Sequence, residues 1–597
     1  MPSLHNAVDN DVPPPWRSIS LGGLMLDIVI RGGLIVDGTG APGRVGDVGI
    51  RDGLIVAIGS IDEDARESLD ATGLVLCPGF VDMHTHYDAQ LFWDPMATPS
   101  NVHGVTTVIG GNCGFTLAPI RAVDADYTRR MMAQVEGMPL GALESGVPWN
   151  WESFGDYLDR LEGGVAVNAA FMVGHCALRR YVMGEEAIGR VATCEEIASM
   201  VAELHRALDS GGVGFSTTLS RTHSDGDGQP VASRWANNEE LLALCTATGE
   251  HEGTQLEAIV DGCLDRFADE EIDLLISMSA AAGRPLNWNV LTVDASVVDR
   301  VPRQLEASTR AATKGARIVA LTMPVIVPMN MSFRNHCALF LMPGWKEVLD
   351  LPLAESTARL ADPETRKWMH ERAVSEEAGV FRRLTAWGSY VIGDTFSAAN
   401  TGLKGKRVSE VAEQRGISDF DALVEIVIAD ELQTVLWPSA TDNDEASWAL
   451  RHQVWEDPRA MIGGSDAGAH LDRMCGAPYT TRFIGDMLRG RKLVALERAV
   501  QMLTDDPARL MGLKGRGQIA LGWVADVVVF DPERIGSAAA TLVKDLPGDA
   551  ARLTADAEGM VRVYVNGVET VRDNIATGAI PGAILRSGRD TETVSTR

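Results

Sequence analysis

Between residues 75 and 468 the chain alternates two kinds of apolar pattern. Short, nearly continuous apolar runs end at glycine, proline, asparagine or aspartate. They fall at 75–86, 104–114, 168–179, 211–217, 254–260, 284–291, 316–324 and 459–468, and each predicts a buried strand. Most are separated by stretches with apolar residues at helical spacing, such as CEEIASMVAELHRALDSGG over 194–212, which closes on a glycine stop. Strands without polar alternation, interleaved with helices, predict a parallel sheet covered on its outer side. Eight such units predict an α/β fold, a (β/α)8 TIM-like barrel over 76–510.

The flanks read differently. Leu26 to Gly59, Gly517 to Pro532 and Val561 to Asp573 hold short β-branched runs broken by Gly, Asp and Pro turns, the pattern of hairpins. Neither end is long enough for a core of its own, so 25–75 and 511–597 are expected to share one β-sandwich built from both termini. The span 325–458, after the seventh strand, is too long for an ordinary connection. It carries Trp345, Trp368, Trp387 and helical stretches such as 407–432. It is read as a helical insertion forming a lid or substrate wall, with an oligomer contact as the alternative and homo-oligomerisation left open. Residues 1–24 are polar and proline-rich, Met25 would serve as a start, and this segment is expected to be a flexible leader.

Composition narrows the function. Lys and Arg number 53 against 82 Asp and Glu, a net charge of −29. With no dense basic run, this argues against nucleic acid and against anionic membranes as partners. No apolar stretch reaches ~18 residues, so no membrane-spanning helix is expected. Eight cysteines without a CxxC pair read as a reduced, cytoplasmic protein.

Three motifs carry chemistry. In GFVDMHTHYDAQLFWDP, His84 and His86 are two apart at the end of a strand, so both rings point to one face, a spacing suited to a divalent metal. In GVTTVIGGNCG, Cys113 ends the second strand between Gly111 and Gly114; from its residues alone it reads equally as a buried thiol or a ligand. In GGSDAGAH, Asp466 ends the last strand, expected opposite the first across the closed barrel. A carboxylate there can bind metal and shuttle a proton. The metal itself would lower the pKa of water from ~15.7 to about 7.

Together with VGHCALR (173–179), GVGFST, VADVVVFDP and VYVNGVET, these motifs resemble the amidohydrolase superfamily, and within it the D-aminoacylase-like branch, over about 26–590. The resemblance implies a metal-dependent hydrolase of amide C–N bonds, with His84, His86 and Cys113 as ligands and Asp466 as catalytic aspartate. It implies one or two divalent ions, zinc foremost. The chain also departs from the branch, which places a histidine at the ends of strands five and six. Here TQLEAIVDG offers Glu257 and PLNWNVL offers Asn287, Trp288 or Asn289. Glu257 is a workable oxygen ligand and otherwise a core support; Asn289 is a poor ligand and is read as substrate-binding. No lysine ends strand four, which argues against a carbamylated-lysine bridge.

His175, after strand three, is read as polarising a substrate carbonyl, or else as a hydrogen-bonding support. His223 and Arg221, after strand four, are candidates for substrate contact, Arg221 for a carboxylate. The expected substrate is a small-molecule amide: an N-acyl amino acid, or alternatively a cyclic amide, carbamate or aromatic xenobiotic amide, toward which the insertion's tryptophans hint. A non-catalytic scaffold is the remaining alternative.

Overall fold

The computed structural model describes residues 19–20, 25–335 and 337–596; the expected leader lies, apart from Ile19 and Ser20, outside them. The eight apolar runs each contain a strand. Phe80–Asp82, Val105–Gly110 and Asn168–Phe171 form one parallel ladder. Val173–Gly174, Gly214–Thr218, Gln255–Ile259, Leu286–Trp288, Ile318–Thr322 and Ala460–Ile462 form a second. Only Met172 separates the two ladders along the third strand, and a parallel bridge, Thr85 to Ala467, lies beyond the ends of the first and eighth. The arrangement is TIM-barrel-like.

Helices between the strands bury their apolar faces against them. The expected helix at 194–212 is Cys194–Asp209, opened by a capping box in which Thr193 and Glu196 satisfy each other's backbone N–H groups. The expected helical stretch 407–432 is two helices, Val408–Arg415 and Asp419–Ala429. Gly416 sits between them at φ +69°, a left-handed conformation that glycine adopts without strain.

Strands from both ends of the chain meet in a single ten-stranded sheet. Val75–Pro78 pairs with Val527–Phe530, which pairs in turn with Met560–Val565. The apolar run 75–86 is therefore not one strand: Val75–Pro78 belongs to the terminal sheet and Phe80–Asp82 to the barrel. Gly79 is the joint, and a Cβ there would sit 2.1 Å from Thr106 Oγ1 and 2.4 Å from its Cγ2.

The insertion has its own apolar core. Trp345 and Trp387 stack with ring centroids 5.5 Å apart, and Phe420 packs on both. Trp345 is fully buried and donates its indole N–H to the Met369 carbonyl; Trp368 lies partly buried against the same cluster. Trp345 and Trp387 fill this core and none of the three tryptophans lines the cavity that opens on Asp466, so they give no hint of an aromatic ligand there. No helix among the described residues is long and apolar enough to cross a membrane.

The tight joint yields a prediction. Gly79→Ala should lower the free energy of unfolding by about 1–3 kcal/mol, because Thr106 is a buried, stiff side chain that cannot retreat. Gly141→Ala, where the nearest atoms are 3.8 Å away, should be neutral or slightly stabilising. Urea unfolding curves of the two variants distinguish them.

Candidate metal centre

The candidate residues collect at the C-terminal ends of the strands, the face where such barrels hold their sites. His84 and His86 follow the first strand and are fully buried. The loop carrying Asp466 is tied to them through the backbone: His86 N donates to Ala467 O at 2.7 Å and Asp466 N to His84 O at 3.2 Å. Ser465 Oγ holds the loop to Asp82 Oδ2 at 2.5 Å. Cys113 follows the second strand in a left-handed conformation, φ +57°, and Asp466 has φ +52°. Such conformations cost free energy in non-glycine residues and cluster at functional sites. Gly111, φ +72°, lets the Cys113 loop press against the third strand, since a Cβ there would lie 2.2 Å from Met172 O.

Three donor atoms cluster, and Asp466 approaches two of them. His84 Nε2 is 3.5 Å from Cys113 Sγ and 3.2 Å from Asp466 Oδ1, and His86 Nε2 is 3.8 Å from the same oxygen. One donor atom from each of His84, His86 and Cys113 falls within a 4.8 Å cluster. Zinc bonds of ~2.0–2.3 Å in tetrahedral array put neighbouring donors roughly 3.3–3.7 Å apart, which the 3.5 Å between His84 Nε2 and Cys113 Sγ matches.

The electrostatics point the same way. Burial, reinforced by Glu257 and Glu136, pushes the Cys113 thiol well above its ordinary value. Burial raises Glu257 to about 8 and Glu136 to about 7. Burial also opposes a charged His86, yet Glu136 and Asp466 push it up to about 9. Asp466 is held low, burial notwithstanding, by hydrogen bonds to His84 and His86. A site this rich in buried anionic groups calls for a cation.

Glu257 lies beside this cluster, in register with Ser216 and Asn287 on the flanking strands. Its Oε2 accepts from Cys113 N at 2.8 Å, while its buried Oε1 has no hydrogen-bond partner. Asn289 donates from Nδ2 to Asp466 Oδ1 at 3.0 Å, so it orients the aspartate. His175 is fully buried with both ring nitrogens engaged, Nδ1 with Thr217 Oγ1 at 2.8 Å and Nε2 with Glu240 Oε1 at 2.7 Å. Neither is left for a substrate carbonyl. The supporting role fits His175, and the polarising role does not. His223 engages Thr218 Oγ1 through Nδ1 at 2.8 Å and packs on Phe115. Arg221 is exposed and makes its contacts through the backbone, donating to Asp261 and accepting from Arg234.

A cavity of about 480 Å³ opens on Asp466. Residues following strands six and seven line it, among them Leu291, Val293 and Ile326, together with Arg383, Leu384 and 437–442 from the insertion.

Residues 67–571 match the amidohydrolase family. The chain belongs to the amidohydrolase family. D-aminoacylase from Alcaligenes xylosoxydans xylosoxydans is 31% identical over 564 residues, covering 94% of this chain and 97% of that protein. The N-acyl-D-aspartate deacylase of the same organism is 29% identical over 574 residues, covering 94% and 95%. A crystal structure of D-aminoacylase superposes with a TM-score of 0.62 at 27% identity, covering 94% of this chain and 100% of that one. Another D-aminoacylase structure, equally similar by all four measures, concerns a binuclear metal centre with one-metal activation and second-metal attenuation.

Several residues of this amidohydrolase site escaped sequence reasoning. Glu136 caps the C-terminus of helix Ala125–Val135, yet its Oε2 lies 3.6 Å from His86 Nε2. Nothing local in QVEGMP marks it, and only the tertiary fold brings it in. Asp82 and Asp88 flank the histidine motif at the same two-residue spacing, a signal that could have found both. Glu240 became visible only through its contact with His175.

His84→Ala and His86→Ala should each retain less than about a tenth of the parent's bound divalent metal after dialysis. His175→Gln should keep the metal and instead lose about 1–3 kcal/mol of stability, because buried Glu240 loses a partner. Elemental analysis with thermal unfolding checks both; undiminished metal in the histidine-to-alanine variants would refute this ligand assignment.

Proposed function

We propose that this amidohydrolase is a metal-dependent hydrolase that cleaves the amide C–N bond of an N-acyl amino acid. The observation that carries the proposal is the cluster of one donor atom each from His84, His86 and Cys113 at the mouth of the barrel, with Asp466 Oδ1 3.2 Å and 3.8 Å from the two histidine Nε2 atoms. Similarity to D-aminoacylase and the N-acyl-D-aspartate deacylase over nearly the whole chain supports the choice of bond.

His84, His86, Cys113 and Asp466 would hold the ion, with the unpartnered Oε1 of Glu257 beside them. Two imidazoles and a thiolate favour zinc over a harder cation. The ion supplies Lewis acidity toward the amide carbonyl and lowers the pKa of water.

The protein's own part is to hold and move a proton. Asp466 remains ionised because His84 and His86 hydrogen-bond it, so its carboxylate accepts the proton of the attacking water. Asn289 keeps the carboxylate aimed. As the tetrahedral carbon collapses, Asp466 returns the proton to the leaving nitrogen, completing general base and general acid steps with one group. His223, with Nδ1 taken by Thr218, offers Nε2 as a donor to the substrate.

Asp466→Asn should keep most of the bound metal, since two histidines and Cys113 remain, and should lose about 10²–10⁴-fold in kcat. The measurement is turnover of a panel of N-acyl-D- and N-acyl-L-amino acids by metal-loaded protein. Near-parental turnover in the variant would remove Asp466 from the mechanism. A parent that binds no metal and hydrolyses none of the panel would favour a non-catalytic scaffold.

A further inference from the structure

The insertion carries a second cavity, of about 780 Å³, which shares no lining residue with the one that opens on Asp466. That volume lies in the range of small-molecule sites. One wall is a face of helix Pro363–Val374, where Pro363, Arg366, Lys367 and His370 recur at helical spacing. Another is formed where helices Val408–Arg415 and Asp419–Ala429 begin, with Arg407 from one and Asp419 and Asp421 from the other. Nearly buried Trp387 and Phe420 complete the lining.

The charges of this cavity are only partly spent. Arg366 pairs with Asp421 at 3.4 Å and donates to Leu360 O at 2.6 Å. Trp387 donates its indole N–H to His370 Nδ1 at 3.2 Å, which leaves Nε2 as the donor of a neutral ring. Lys367, Arg407 and Asp419 are exposed, and among the described residues none of the three has an ion pair. Asp419 lies against Gly388, where an added Cβ would sit 2.2 Å from its Oδ2.

Two unspent cations beside one unspent anion select a ligand by charge. Asp419 repels a plain anion, and Lys367 and Arg407 repel a plain cation. A molecule with two carboxylates and one ammonium group matches all three. We propose that this cavity binds a free acidic amino acid and that its occupancy alters the catalytic cavity. The ammonium group meets Asp419, one carboxylate meets the fork of Arg407, and the other meets Lys367 as a point charge. An N-acyl amino acid has no ammonium group, so substrate and effector are told apart by the amine that hydrolysis frees. The regulatory half of the proposal rests on the hydrolytic reading, and the binding half does not.

One short stretch of chain joins the two cavities. Arg383 and Leu384 line the catalytic cavity, and the next five residues, Thr385 to Ser389, line the outer one. Ser439, from the catalytic cavity, donates to Ser389 O at 2.9 Å, and Tyr390 donates to Leu384 O at 2.8 Å. Val391–Ile392 then pairs with Leu436–Trp437, and Trp437 again lines the catalytic cavity. A ligand seated on Asp419 bears on Gly388, and so on the wall of the catalytic cavity, through hydrogen-bonded chain.

The test is calorimetric titration of the metal-loaded protein with D- and L-glutamate, glutamine and glutarate. Glutamate should bind about 10-fold or more tightly than glutamine, which lacks the second carboxylate, or glutarate, which lacks the ammonium group. Arg407→Ala and Lys367→Ala should each weaken glutamate by a similar factor, and Asp419→Asn should abolish its advantage over glutarate. His84→Ala should leave this binding intact, whereas glutamate held at the metal centre would be lost with His84 and indifferent to Arg407. Saturating glutamate should change kcat/KM for an N-acetyl amino acid by about 5-fold or more in the parent. Arg407→Ala should keep the parental kcat/KM and lose the response. No binding at millimolar glutamate, or binding indifferent to Arg407, Lys367 and Asp419, overturns the site. Specific binding with an unchanged kcat/KM overturns the coupling. If the parent hydrolyses no N-acetyl amino acid, the coupling falls with the hydrolytic reading, while the titration still decides the site.

Discussion

Everything at the mouth of the barrel answers to one constraint: an excess of acid groups set around two imidazoles. Asp82, Asp88, Glu136, Glu257 and Cys113 are buried there, and Asp466 faces them from the cavity side. Taking a carboxylate out of water costs several kcal/mol unless a counter-charge is supplied. The chain supplies little of it: fully buried Arg179 is already spent on Glu240, and partly buried Arg473 lowers Glu136 against a larger effect of burial. Burial accordingly lifts Asp82 to about 7 and Asp88 to about 6. A doubly charged cation among these groups would offset their repulsion in one stroke, which is what favours reading the arrangement as a metal centre.

The fold tolerates this cluster because its side chains are fixed by backbone. Reciprocal main-chain hydrogen bonds join the loop after the eighth strand to the one after the first, and Gly468 at φ +92° permits it, since a Cβ there would meet His86 O at 2.6 Å. Cys113 is presented by glycines that let its loop touch the third strand. The hydrogen-bonded run Arg179–Glu240–His175–Thr217 braces the neighbouring strand from behind. Charge that is awkward to bury is therefore carried by parts of the chain with little freedom to move away.

Much of this was legible in the sequence, for identifiable reasons. Eight apolar runs with turn signals marked eight strands, because buried parallel strands carry no polar alternation to confuse the reading. The paired histidines were legible because strand geometry sends i and i+2 to one face. The split at Gly79 was not, since an apolar run continuous in sequence gives no sign that it changes sheets halfway. Glu136 was hidden because its meaning depends on where a helix ends in space. The tryptophans of the insertion misled for a general reason: large aromatic residues serve cores and ligand walls alike, and only packing separates the two. His175 was correctly marked as special and wrongly aimed, because its two partners come from elements distant in sequence.

The joint at Gly79 has a consequence for how the protein comes into being. Four residues before it, Val75–Pro78, lie between Leu26–Ile35 and Val527–Phe530 in the terminal sheet, and five residues after it stands His84. During synthesis, Val75–Pro78 and the histidines beyond the joint emerge early, but that strand's second partner in the terminal sheet, Val527–Phe530, is made some 450 residues later. Until then Val75–Pro78 is paired on one side only, to Leu26–Ile35. The sheet that anchors the joint before the candidate metal centre is thus among the last things the nascent chain can complete, and a product truncated before Val527 would carry its histidines beside an unfinished sheet.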